Sequence, residues 1–437
     1  MNFSSTLQKK VLFCATSMSS QVRLQILPSP KCLFDEPVTV KVEGLSAYQE
    51  VQLRARLTDQ KNVIFQSSAT YRADVSGKID LSSSPALGGS FSGVEPMGLF
   101  WSLKPETPHK KLVKKEILTP CLVHIELYSS GRQREMLAKE INERHFMAEG
   151  VRRLPIKHGR IHGTLFLPPG KGPFPGVVDM YTVGVGLSET RACLLANQGF
   201  VVFALAPYGQ GTPSNVSSLH LEYFEDALSF LSRRPEVKGP GIGILSISKS
   251  GDLALSMSSF LSGISATVCI NGCNANVMFP LHYKDTVIPP LMFDANRAVL
   301  TESGALDVKH SIWNPMAPEN RRTLIPIERA DCRFLFVAAE DDRNWDSRFF
   351  AEQAAKRLTE YGKDNFEVVL YPGSGHYLDV PYMPHCFSSL HAAIGKYVVW
   401  GGEPKSHAEA QVDLWGKIQA FFREHLDTAC SFGKAKL

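Results

Sequence analysis

A hydroxyl, an imidazole and a carboxylate each fall just beyond an expected β-strand in this sequence: Ser248, His376, and an acid among Glu340, Asp341 and Asp342. A serine hydroxyl ionises too weakly to attack a carbonyl unaided. It needs a histidine base, and the histidine needs a carboxylate to fix its tautomer and stabilise its cation. Ser248 lies in Gly241-Ile-Gly-Ile-Leu-Ser-Ile-Ser248-Lys-Ser-Gly251, where an apolar run ends in small residues and a helical pattern begins. The stretch reads as strand, sharp turn, helix. Such a turn presses the residues two before and two after against the central one, so both must be small. Here both are serine, Ser246 and Ser250, where the G-x-S-x-G pattern has glycine. Centring the turn on Ser246 would put Ile244 at the tight position, and centring it on Ser250 would put Asp252 there, so the pattern selects Ser248. Taken alone, the stretch reads equally well as a serine-rich helix cap.

The remaining groups favour chemistry. His376 sits in Pro372-Gly-Ser-Gly-His376-Tyr, after a strand expected at 366–371, and the acids sit in Ala339-Glu-Asp-Asp342-Arg-Asn-Trp345, after a strand expected at 333–338. The chain order serine, acid, histidine is the one expected when such groups ride on strand-end loops of a parallel sheet. Of the thirteen histidines, His376 is the one that directly follows a late strand in a Gly-rich turn. One carboxylate suffices, so at least two of Glu340, Asp341 and Asp342 are solvated residues at a helix start. For the oxyanion of an acyl intermediate the donors expected are the backbone N–H of Lys249 and one from the loop Tyr181-Thr-Val-Gly-Val-Gly186, either Thr182 or Val183.

The elements that must position these groups alternate along the second part of the chain. Strands are expected at 161–167, 176–180, 200–206, 242–245, 266–271, 333–338 and 366–371, and helices at 188–198, 221–231, 249–261, 347–358 and 412–425. This rhythm implies an open, mostly parallel sheet with helices on both faces. Residues 274–330, rich in Pro and loop-like segments, break it and are expected to form a lid or substrate wall. The first part differs: residues 18–148 carry short alternating strands at 22–27, 38–42, 51–57, 63–71 and 121–128, the spacing of an immunoglobulin-like β-sandwich. His124 falls on the polar phase of its strand, where a solvated histidine is expected. Residues 149–155 read as a linker to a catalytic domain at 155–426.

Composition bounds the partners. At 437 residues, with 44% hydrophobic and 21% charged residues, the chain has the size of two or three domains. A net charge of +4 without a basic block argues against nucleic acid and suits a small anionic substrate. No run approaches the roughly 18 apolar residues that a membrane helix needs. Nine scattered cysteines without a C-x-x-C pair give neither a disulfide framework nor a zinc site, and imply a reducing compartment; Cys269 and Cys273 read as buried thiols. H-E-x-x-H and P-loop patterns are absent, and neither metal nor cofactor is expected. Residues 1–17 read as a disordered leader, acid-free and mildly like a transit peptide. The tail at 427–437 ends in Ala435-Lys436-Leu437, close to the S-K-L peroxisomal address and thus expected to engage the peroxisomal import receptor, with cytosol or mitochondrion as the other compartments.

From Met18 to about Leu426 the chain resembles the type-I acyl-CoA thioesterase and bile acid-CoA:amino acid N-acyltransferase family. The resemblance is carried by Leu33-Phe-Asp-Glu-Pro-Val, Pro85-Ala-Leu-Gly-Gly-Ser-Phe-Ser-Gly, Glu95-Pro-Met-Gly-Leu, Leu165-Phe-Leu-Pro-Pro, Pro240-Gly-Ile-Gly, Ile247-Ser-Lys and Gly375-His-Tyr. It implies an N-terminal β-sandwich followed by an α/β-hydrolase domain, and a triad of Ser248, Asp342 and His376. It therefore selects the second aspartate, which spacing leaves open. The expected activity is hydrolysis of acyl-CoA to fatty acid and CoA. Transfer to glycine or taurine is the alternative, disfavoured because family members that do this carry cysteine where this chain has Ser248. An inactive binding homologue is the third reading. Two departures bear on it: Ser246 and Ser250 replace the family's elbow glycines, and Tyr181-Thr182 stands where the family usually has Phe-Gly.

Overall fold

The computed structural model describes residues 21–131, 134–182, 186–207 and 217–427. The expected leader, Val183 and the C-terminal tripeptide lie outside the described residues.

An eight-stranded sheet organises the second part of the chain. Its strands are β1 (Arg152–His158), β2 (Ile161–Leu167), β3 (Phe174–Met180), β4 (Val201–Leu205), β5 (Val237–Ile247), β6 (Ile264–Ile270), β7 (Arg333–Ala339) and β8 (Phe366–Tyr371). They lie side by side in the order β1-β2-β4-β3-β5-β6-β7-β8. The first two pairings, β1 with β2 and β2 with β4, are antiparallel, and all the others are parallel. A parallel sheet must be covered on both faces, and Val-Val-Phe-Ala-Leu in β4 is buried along its whole length. Adjacent residues of one strand point to opposite faces. Val177 packs with α1 (Thr190–Asn197) and α5 (Pro404–Leu426), whereas Val178 packs with α2 (Leu221–Ser232) and α3 (Lys249–Phe260). A fifth helix, α4 (Ser347–Glu360), covers the end formed by β7 through Ala351, Ala354 and Leu358. This is the α/β-hydrolase fold.

Two expectations needed correction. The stretch read as a linker runs into β1, an edge strand with one neighbour, a position that tolerates Pro155 without its N–H. Helix α5 starts at Pro404, two turns earlier than expected. Its polar opening, Pro-Lys-Ser-His-Ala-Glu-Ala-Gln, hides the helix from an apolar-periodicity search, while Pro in the first turn is pre-set for a helix start.

Ahead of this sheet, the strands Arg23–Leu27, Thr39–Glu43 and Ile79–Asp80 form a small sheet. It packs on a larger one built on Glu50–Thr58, Ile64–Arg72, Cys121–Ser129 and Met136–His145. Leu24, Ile26, Val40, Leu53, Ala55 and Ile125 share one core, as in a β-sandwich. His124 is exposed, on the polar face of its strand. Met136–His145 was not anticipated because its first half lacks buried positions to set a period. From this module, residues 109–113 reach the second part of the chain at the ends of its parallel strands. There the ring nitrogen Nδ1 of His109 meets Ser388 Oγ at 2.9 Å, and Lys111 Nζ donates to Tyr181 Oη at 2.7 Å.

Candidate active site

Strand β5 ends at Ile247, and α3 begins at Lys249, so Ser248 alone makes the turn. Its φ of 60° and ψ of −131° lie where a side chain is strained, a conformation found where geometry at a reacting group is enforced. Hydrogen bonds hold it there. Ser248 N donates to Ile270 O at 2.9 Å, and Ser248 O accepts from Gly251 N at 2.7 Å. The two serines that replace glycine are accommodated through their hydroxyls: Ser246 Oγ donates to Val268 O at 2.7 Å, and Ser250 Oγ donates to the carbonyl of Tyr181. The tight backbone approach falls elsewhere. A Cβ on Gly251 would lie 2.7 Å from Gly272 Cα, and one on Gly272 would lie 2.3 Å from Cys269 Sγ.

The strand ends bring the other two groups to Ser248. His376 Nε2 lies 2.8 Å from Ser248 Oγ, and His376 Nδ1 lies 2.7 Å from Asp342 Oδ2. Asp342 also accepts from the backbone N–H of Asn344 at 2.8 Å and from Ser347 Oγ. A carboxylate so anchored leaves Oδ2 fixed toward the imidazole. Glu340 and Asp341 point elsewhere, to Arg348 at 2.9 Å and to Arg343 at 2.7 Å. The imidazole is held by rings, stacked on Trp400 at 5.5 Å and edge-on to Trp345 at 5.6 Å. Its backbone is pinned by Asn271, whose Nδ2 donates to His376 O at 2.7 Å. His407, on α5, grips the same loop. It accepts from Gly375 N at 3.1 Å and meets Tyr377 O through Nε2 at 2.9 Å; burial pushes its pKa down to about 3. Asp342, Ser248 and His376 are all buried.

Lys249 holds the first position of α3, where a backbone N–H has no acceptor within its own helix. Thr182 is buried and lines the same cavity as Lys249. The Tyr181 departure is built into a network: its hydroxyl donates to Asp379 Oδ2 at 2.5 Å, while Lys111 donates to that hydroxyl and lies 3.7 Å above the Tyr377 ring. Burial pushes the Lys111 ammonium below its ordinary range, and Asp379 opposes that shift. Further inward, Arg191 pairs with Asp179, and Lys249 Nζ pairs with Asp252 at 2.7 Å.

Of the three groups, Ser248 lines a cavity of about 530 Å³. Its walls include Met278, Tyr377, Leu390, Tyr397 and Trp400, with Lys61 and Lys110 contributed by the β-sandwich. The wall expected from residues 274–330 contributes Met278; most of that side comes from the hairpin of Ser388–His391 and Lys396–Val399. The hairpin was missed because Leu390 and Tyr397 are exposed and its pattern is weak. Among the described residues no group of His, Cys, Asp and Glu could hold a metal ion, and Cys269, pushed up to about 12 by burial, is an inert thiol.

Comparison with known proteins gives a consistent picture. Residues 35–158 match the model described as acyl-CoA thioester hydrolase/BAAT N-terminal region, and residues 219–428 match BAAT/acyl-CoA thioester hydrolase C terminal. The chain is 49% identical over 405 residues to human acyl-coenzyme A thioesterase 2, mitochondrial, covering 91% of this chain and 83% of that protein. It is equally 49% identical to human acyl-coenzyme A thioesterase 1, covering 91% of this chain and 96% of that one. Mouse acyl-coenzyme A thioesterase 1 is 46% identical over 94% of this chain and 98% of its own length.

Proposed function

The chain belongs to the acyl-CoA thioester hydrolase/BAAT family, and from that premise we propose that it hydrolyses acyl-CoA to fatty acid and CoA through Ser248, His376 and Asp342. The observation that carries this reading is the continuous relay from Ser248 Oγ to His376 at 2.8 Å and on to Asp342 at 2.7 Å, with Ser248 lining a cavity large enough for an acyl thioester.

With Nδ1–H donated to Asp342, Nε2 is the acceptor. Ser248 Oγ attacks the thioester carbonyl carbon as its proton passes to Nε2, and the oxyanion takes the N–H of Lys249 and of Thr182 or Val183. The C–S bond breaks, and CoA leaves as its thiol with the proton from His376. Water then attacks the acyl-serine, again giving a proton to Nε2. The C–Oγ bond breaks, the proton returns to Ser248, and the fatty acid departs. The apolar wall suits the acyl chain. Lys61 and Lys110 at the rim, without acidic partners within ion-pair distance among the described residues, suit the phosphates of CoA. The step is tested by measuring thiol release from acyl-CoAs of graded chain length, with and without glycine or taurine. Thiol release that yields free acid in both conditions supports hydrolysis; N-acyl amino acid as the main product overturns it.

Ala435-Lys436-Leu437 supports a peroxisomal pool that reaches its compartment through the import receptor. Deleting Leu437 should make that pool diffuse. Unchanged distribution, or mitochondrial import of the full chain, overturns the assignment.

A further inference from the structure

Asn344 has no part in the relay as described, yet its side chain faces the reacting atoms. It lines the cavity, is buried, and places Nδ2 3.3 Å from His376 Nε2, the nitrogen that also meets Ser248 Oγ. Because Nδ1 carries the proton given to Asp342, Nε2 is an acceptor, and the group facing it must be the amide NH2. Asn344 Oδ1 therefore points away from the ring, and no protein group among the described residues bonds it. The backbone N–H of Asn344 anchors Asp342, a contact that any side chain at this position keeps. The side chain is thus free of the structural duty that its main chain performs.

We propose that Asn344 positions the water that hydrolyses the acyl-enzyme, an inference that rests on the hydrolytic reading above. In the free enzyme Nε2 has two donors, the Ser248 hydroxyl and the Asn344 amide. Once Ser248 is acylated, Oγ has no hydrogen to give, and the space beside Nε2 must be filled by the incoming nucleophile. A water there gives one hydrogen to Nε2 and accepts one from the Asn344 amide, which faces the same space, leaving its second lone pair aimed at the acyl carbon. On attack its oxygen bonds the carbon, its proton goes to Nε2, the C–Oγ bond breaks, and that proton returns to Ser248. Acylation needs no such water, because Ser248 already holds its own hydrogen bond to the base. Asn344 accordingly acts in the second half-reaction and not in the first.

The test is pre-steady-state thiol release from an acyl-CoA by the full chain, comparing the wild type with Asn344→Ala and with Asn344→Leu, which fills the same volume without polar atoms. The expected result is a thiol burst whose rate stays within about twofold of the wild type, while steady-state kcat falls about tenfold or more and acylated Ser248 accumulates by intact mass. Hydroxylamine, a nucleophile that needs less help from the base, should restore turnover of both variants as the hydroxamate. Burst rate and kcat falling together, or a steady state unchanged in both variants, overturns the role of Asn344. Absence of any acyl-enzyme and of thiol release in the wild type would instead sink the hydrolytic reading beneath it.

Discussion

At Ser248 the chain spends backbone strain to fix one hydroxyl, and neighbouring residues hold that strain in place. Replacing Ser248 or His376 with Ala, or Asp342 with Asn, should lower kcat by roughly three orders of magnitude or more with the fold retained. Circular dichroism and thiol release on the same samples check both parts. Ser248→Cys is a finer probe: the intermediate becomes a thioester, more selective for amines, so hydrolysis should slow and any N-acyl glycine or taurine should rise. An unchanged product ratio would mean that acceptor binding, not the nucleophile, sets the outcome. Much of this was legible in the sequence, because the small neighbours of Ser248 and the Gly-rich turn at His376 are local patterns. Which acid meets His376 was not legible from spacing; the fold brings Asp342 to it, while Glu340 and Asp341 pair with arginines. Nor could spacing reveal that the Ser250 hydroxyl and the Tyr181 carbonyl satisfy each other, since 69 residues separate them.

The elements contribute by holding loops at strand ends. His407 on α5 grips the His376 loop from both sides only while its imidazole is neutral, since Nδ1 must accept from Gly375. Its pKa in the fold is about 3 against an ordinary value of 6.5, so between these limits the unfolded chain binds a proton that the folded chain refuses. Stability from this group is therefore complete above about pH 6.5 and declines as pH falls toward 3, with a slope that reaches about 1.4 kcal/mol per pH unit. His391, pushed down to about 4 chiefly by burial, adds the same sign. In His407→Gln the acid limb of thermal midpoint against pH should be shallower than in the wild type; parallel limbs would refute this account. The central parallel strands were readable because they are buried along most of their length. The hairpin at Ser388–His391 and Lys396–Val399 was not, because Leu390, Lys396 and Tyr397 face solvent and its partner strand lies at Leu306–Asp307.

Across the whole molecule, the β-sandwich completes the site by carrying Lys111 into the second part of the chain. Lys111 and Asp379 lie 3.7 Å apart, with side chains 25% and 6% exposed, and Tyr181 bridges them. Removing one charge strands the other. Lys111→Met should destabilise the protein by about 3 kcal/mol, and adding Asp379→Asn should restore most of it. A double variant no more stable than the single would show that the pair is not coupled. No sequence pattern links residue 111 to residue 379, so this junction is a product of the assembled fold. The central claim, however, rests on one atom. Thiol release from acyl-CoA by the wild type and by Ser248→Ala, purified side by side, tests it most directly. The account predicts turnover in the first and a loss of about a thousandfold or more in the second; near-normal turnover by Ser248→Ala would contradict it.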